Sequence, residues 1–156
     1  METAARLRLP NANWFSEILI RERDWGQFDL MSEAERQGKM GDEIQRMWRD
    51  HFFFAPPGGE SLAYVAQRVD LLLSVLHREC SGKRVVMVCH GEVMWAMRQR
   101  IERMSQVRFR DLQQGGRMVD QIHNGHILVY SRVDPESGRV SPHLRWLKSI
   151  CPWNES

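Results

Sequence analysis

His90-Gly91-Glu92 directly follows a β-branched apolar run, Arg84-Val85-Val86-Met87-Val88-Cys89, and Val93, Met97, Ile101 and Met104 then recur at helical spacing. That order, strand, tight turn and helix, puts His90 at the carboxyl end of a strand and Gly91 at the opening of a helix. Ligands of open α/β sheets bind beyond the carboxyl ends of the strands. A glycine there lets a ligand approach the backbone, and the free N–H groups of a helix start suit a phosphate. The chemistry on offer is an imidazole in contact with a phosphoryl group. A histidine after a strand serves equally well as a polar turn cap, and the tripeptide alone does not choose between the two roles.

A second charged cluster, Arg21-Glu22-Arg23-Asp24-Trp25-Gly26, follows the apolar stretch Trp14 to Ile20, which reads as a short buried strand. A charged loop directly after a strand is a common place for a site on an α/β fold. Taken on its own, Glu22 is also consistent with half of a surface ion pair to Arg21 or Arg23, which is worth little energetically.

The elements that must position these residues are legible from periodicity. Leu62, Val65, Ala66, Val69, Leu72, Leu73 and Leu76 mark one buried face of a helix from Glu60 to about Arg78, closed by Ser81-Gly82-Lys83. Glu2 to Leu9 reads as a helix with almost no cap before it, ended by Pro10 to Asn13. Ser32 to Phe52 reads as two short helices and a loop, interrupted by Gly38 and Gly41, with Pro56-Pro57-Gly58-Gly59 as a firm break. His126 to Arg132 is a predicted strand, residues 134–138 a turn, and Val140 to Ile150 a last strand broken by Pro142. Strands alternating with amphipathic helices predict one α/β domain over residues 1–156, a three-layer α/β/α arrangement around a mostly parallel sheet.

Gly58-Gly59-Glu60-Ser61-Leu62, the long helix, the apolar strand and His90-Gly91-Glu92 together resemble the second half of the histidine phosphatases, the phosphoglycerate-mutase-like family. The loop from Arg21 to Gly26 resembles that family's acid-bearing loop, and Glu2-Thr3-Ala4 its Glu-Thr-Ala. The resemblance implies phosphoryl transfer through a phosphohistidine, with His90 as the second, phosphate-contacting histidine and Glu22 as the proton donor. It places Arg21, Arg23 and Trp25 beside the substrate and Gly91 and Glu92 beside the phosphate. The family's nucleophile belongs to an Arg-His-Gly tripeptide ending its first strand, and no Arg-His-Gly occurs in this chain. The resemblance therefore implies that Met1 falls inside a helix that starts upstream and that the first, central strand is missing. Uncovered ladder groups and apolar surface would follow, with pairing to a second copy or a partner. His90 as the nucleophile itself is disfavoured by the long helix before its strand. A phosphatase whose present form is inactive and a non-catalytic phosphate-binding or assembly scaffold both remain open. The mutase-type paired arginines after the acid loop are not evident, which tilts the reading toward a phosphatase.

Composition sets the remaining bounds. With 22 basic and 20 acidic residues the formal charge is +2, which gives no argument for nucleic acid or an anionic membrane as partner. Arg98, Arg100, Arg103, Arg108 and Arg110 read as a solvated helix face and loop. Three cysteines, Cys80, Cys89 and Cys151, lack paired metal-ligand spacing and no secretory segment opens the chain, which fits a reducing, cytoplasmic setting. No apolar run approaches the roughly 20 residues a bilayer needs. His123-Asn124-Gly125-His126 reads as a turn into a strand in preference to a metal site, and the tryptophans and Phe52-Phe53-Phe54 as core and pocket wall. No metal or organic cofactor is expected, and the expected substrate is a phosphorylated small molecule or phosphoprotein.

Overall fold

The computed structural model describes residues 2–115 and 121–151, and groups the chain into two compact units, Met1–Met97 and Arg98–Ser156. The first unit contains α1 (Glu2–Arg6), a 3-10 turn (Ile18–Ile20), a second 3-10 turn (Gly26–Leu30), α2 (Glu33–Lys39), α3 (Gly41–Arg49) and α4 (Leu62–Glu79). α5 (Gly91–Ile101) starts in the first unit and ends in the second, which also contains α6 (Gln106–Gly115), β1 (Ile127–Ser131) and β2 (Trp146–Ile150).

α4 is the framework of the first unit. It starts at Ser61, whose Oγ accepts from the Tyr64 N–H at 3.1 Å, a hydroxyl N-cap of the kind worth about 1 kcal/mol. Its apolar stripe of Leu62, Val65, Ala66, Val69 and Leu72 is buried, each such side chain contributing about 1.5–3 kcal/mol on full burial, and it packs on the Ile18–Ile20 turn. α2 opens on a capping box, with Ser32 Oγ accepting from the Glu35 N–H and Glu35 Oε2 accepting from the Ser32 N–H. α2 and α3 are joined through Met40 and pack together, so the glycine-interrupted stretch forms the two short helices its sequence predicts.

In the second unit β1 and β2 form an antiparallel pair, in register from Ile127 opposite Ile150 to Ser131 opposite Trp146. The intervening turn is closed by Asp134, whose N–H donates to the Arg139 carbonyl and whose carbonyl accepts from Gly138, where φ is +69°. Tyr130 on β1 donates its hydroxyl to Glu102 Oε1 at 2.6 Å, and the same oxygen accepts from Arg98 Nε at 2.9 Å. Burial and that carboxylate push the Tyr130 hydroxyl far above its ordinary pKa, so the proton stays on the tyrosine.

Two predicted strands differ from the structure. Trp14 to Ile20 contains the 3-10 turn at its end and no ladder, and Phe15 and Ile18 are exposed. Residues 84–89 join no ladder among the described residues, and Val85, Val86 and Val88 are 44%, 53% and 37% exposed. A strand exists only through its neighbours: the β-branched composition of this run suits a sheet interior, but exposure of consecutive residues shows both faces uncovered. The described residues thus combine helices with one two-stranded antiparallel sheet in place of the predicted mostly parallel one. α6 was not legible in the polar stretch after Met104; its start carries the one local signal, Ser105 Oγ accepting from the Arg108 N–H. Among the described residues no helix is long and apolar enough to cross a membrane.

Candidate functional site

Glu60, one residue before the α4 N-cap, organises the acid loop. Its N–H donates to the Asp24 carbonyl at 2.8 Å, and its carboxylate accepts from the Asp24 N–H and from Arg21 and Arg68. Arg68, one helical face down α4, also donates to the carbonyls of Leu19, Arg21 and Glu22. One buried carboxylate and one buried guanidinium therefore fix the backbone on both sides of Glu22. Such pairs hold geometry more than they add stability, because desolvation offsets much of their attraction. The sequence signal for Arg68 is an arginine set within the apolar stripe, between Val65 and Val69, whereas the role of Glu60 has no local signal.

Loop closure requires glycine at two places. Gly26 has φ +54°, and a Cβ there would stand 2.3 Å from the Pro57 carbonyl oxygen, which accepts from the neighbouring Gln27 N–H. A Cβ on Gly59 would lie 2.6 Å from the Asp24 carbonyl oxygen. Gly26→Ala is expected to lower the unfolding free energy by about 1–3 kcal/mol, from left-handed backbone strain plus displacement of the Pro57 loop. Urea denaturation checks this, with Gly38→Ala, where a Cβ meets nothing within 4 Å, as the unstrained comparison.

Arg23 is 2% exposed and points inward. Its Nε donates to the Glu60 carbonyl and its Nη2 to the Phe54 carbonyl, both at 2.9 Å, while Nη1 faces Glu92 Oε2 at 3.4 Å. Its Cζ lies 4.1 Å from the Trp25 ring centroid, a cation–π contact. Burial pushes the Glu92 carboxyl above its ordinary range, and Arg23 opposes that rise.

Glu22 and His90 meet in front of this layer. Glu22 Oε1 accepts from the Arg23 N–H at 2.7 Å, and Oε2 lies 3.7 Å from His90 Nδ1, both side chains partly exposed. The His90 carbonyl accepts from the Met94 N–H, so His90 stands at the α5 start and the first helical N–H groups, beginning at Gly91, open beside it. Arg21 lies at the rim, paired with Glu60 and 41% exposed. Burial, with the Glu22 charge nearby, raises Cys89 to about 11, so its sulfur stays a neutral thiol while the adjacent imidazole faces solvent. The structure thus brings Arg21, Glu22, Arg23, Trp25, His90, Gly91 and Glu92 into one region of the first unit. Elsewhere, His126 has both ring nitrogens engaged, Nδ1 with the His123 N–H and Nε2 with Ser149 Oγ at 2.7 Å.

Residues 1–126 match the sequence profile of the histidine phosphatase superfamily (branch 1). Among curated proteins, the 2,3-bisphosphoglycerate-dependent phosphoglycerate mutase of Methylobacterium radiotolerans is 31% identical over 116 residues, 73% of this chain and 51% of that one. The enzyme of the same name from Parvibaculum lavamentivorans is 32% identical over 89 residues, 56% of this chain and 42% of that protein. The chain spans about half the length of these relatives. Among solved structures, a mycobacterial glucosyl-3-phosphoglycerate phosphatase in complex with inorganic phosphate superposes with a TM-score of 0.54 at 24% identity, over 62% of this chain and 50% of that one.

Proposed function

Because the chain belongs to the histidine phosphatase superfamily, we propose that it carries the proton-donor and phosphate-holding half of a site that hydrolyses phosphate monoesters. The observation that carries this reading is the facing of Glu22 and His90 across 3.7 Å at the start of α5, with the Glu22 backbone pinned by Glu60 and Arg68. His90 and the Gly91 N–H hold phosphoryl oxygens, and Arg21 at the rim adds charge. Glu22 delivers its proton to the leaving oxygen as the P–O bond breaks. The nucleophile that forms the new N–P bond is a histidine of an Arg-His-Gly segment, which the present chain does not contain. Arg23 and Glu92 act from behind as positioning residues, since Arg23 is 2% exposed and each of its three guanidinium nitrogens already faces an acceptor. Phosphatase is favoured over mutase because no paired arginines follow the acid loop.

The half-site predicts phosphate binding without turnover. Inorganic phosphate is expected to shift the His90 imidazole resonances of this chain saturably, with at least tenfold weaker binding in His90→Ala, a loss of about 1.4 kcal/mol or more. Unchanged binding in His90→Ala, read by calorimetry, would remove His90 from the phosphate site. A folded chain that binds phosphate, together with an upstream-extended form that still lacks turnover, would favour the scaffold reading.

A further inference from the structure

Residues 84–89 run from the Gly82 turn to the start of α5 with no helix, no turn and no positive φ, and their backbone donors and acceptors have no partner among the described residues. Alternate side chains of such a run share a face. Arg84, Val86, Val88 and His90 on one face are all exposed, whereas Met87 and Cys89 on the other are partly covered. Backbone groups in this state accept a further strand. The charges at the two ends say which strand fits. Lys83 and Arg84 open the run, Arg84 with no ion pair among the described residues, and His90 closes it 3.7 Å from the Glu22 carboxylate. A run that is cationic at one end and lies beside a carboxylate at the other is complementary to an antiparallel copy of itself.

We infer that two copies of the chain pair antiparallel through residues 84–90, each placing Arg84 in the phosphate site of the other. The pleat sets the register. Directly opposite residues point to one face, so a two-fold pair is centred on a residue and opposes positions of equal parity. The register that uses the whole run is centred on Met87, where Val86 opposes Val88 and Arg84 opposes His90. Centred on Val86 instead, Gly82 would have to extend opposite His90, although its φ of +74° belongs to a turn. In the first register opposed Cβ atoms lie about 5 Å apart, so the guanidinium reaches an anion held by His90 and the Gly91 N–H. Among the described residues the half-site's own guanidiniums are engaged: Arg21 is paired with Glu60, and Arg23 is bonded to two carbonyls and faces Glu92. The pairing stands on the run itself, and the role of Arg84 rests on the phosphate-site reading.

Light scattering after gel filtration is expected to give twice the mass of one chain, falling to the mass of one in Val86→Glu, a substitution at an exposed position. Arg84→Ala is expected to stay dimeric and to bind inorganic phosphate at least tenfold more weakly, read from the His90 imidazole resonances. Because the guanidinium acts across the dimer, adding unlabelled His90→Ala chain to Arg84→Ala chain labelled with 15N-histidine is expected to restore the phosphate shift. The double variant carrying both substitutions, added in its place, is expected to restore nothing. A monomer at the concentrations of the titration overturns the pairing and leaves another chain to cover the run; a phosphate shift that persists in that monomer keeps the phosphate-site reading. A dimer that Val86→Glu leaves intact overturns this surface. Unchanged binding in Arg84→Ala, or weakened binding that the mixed dimer does not restore, overturns the role of Arg84. A dimer without any phosphate response removes the phosphate-site reading and the role of Arg84 with it, while the pairing stands.

Discussion

Arg23→Ala is expected to lose about 3–5 kcal/mol of unfolding free energy, because it strips the largely buried Glu92 carboxyl of its partner and orphans two buried carbonyls at once. The side chain is fully inside, bonded to the Glu60 and Phe54 carbonyls and facing Glu92. Arg23→Lys is expected to recover less than half of the loss, since an ammonium cannot span two carbonyls and a carboxylate as a planar fork does. The exposed pair of Arg6 with Glu2 gives the contrast: Arg6→Ala should stay within about 0.5 kcal/mol. Proton linkage supplies a second readout. A carboxyl whose folded pKa is raised contributes stability below its unfolded pKa and loses it as pH rises through the folded value. Burial raises Glu92 and Arg23 restrains that rise, so removing Arg23 raises it further. The deficit of Arg23→Ala should therefore be smallest below the ordinary carboxylate range and grow toward neutral pH. Urea midpoints across pH measure it, and a deficit independent of pH would show that Glu92 is not the group left unpaired.

The parts of this molecule that were legible in the sequence are those whose stability is local. Ser61 and the 3,4-spaced stripe specify α4, the Ser32 and Glu35 pair specifies α2, and Asp134 to Gly138 specify a turn, all through neighbours a few residues away. Residues 84–89 read as an interior strand for an equally sound local reason, but a strand also needs partners that no local pattern supplies, and it stands uncovered. Composition indicated where this segment belongs, not what it pairs with. The site was legible to the same degree. The charged loop and His90-Gly91 marked the two sides, whereas the Glu60–Arg68 pair that holds the loop depends on contacts 46 to 49 residues apart, from Arg68 back to Glu22 and Leu19.

The uncovered run 84–89 adjoins the proposed half-site. Val85, Val86 and Val88 lie just before His90, so whatever chain pairs with them would deliver its own end beside the imidazole and Glu22. Extended backbone with free donors and acceptors is a template for another strand. Association between copies of the chain through this run is an expected outcome, and Val86→Glu should suppress it, with light scattering as the measurement.

Turnover carries the largest expected effect. The 156-residue chain is expected to release no p-nitrophenol from p-nitrophenyl phosphate above buffer, whereas a form extended upstream to include an Arg-His-Gly strand should turn over at ordinary enzymatic rates. The magnitudes decide this. A positioned general acid, the role proposed for Glu22, supplies about 10²- to 10⁴-fold, while enzymes acting on phosphate monoesters reach accelerations of up to about 10²¹-fold. On the proposed reading, an acid and a phosphate-holding imidazole without a nucleophile are therefore expected to leave a rate far below detection. In the extended form Glu22→Gln should lower kcat by about 10²- to 10⁴-fold on an alkyl phosphate monoester, whose leaving alkoxide needs the proton, with little change in phosphate affinity. Amides 84–89 should gain protection from hydrogen exchange as the new strand pairs with them. Turnover by the 156-residue chain that His90→Ala abolishes would instead make His90 the nucleophile and the site complete as it stands.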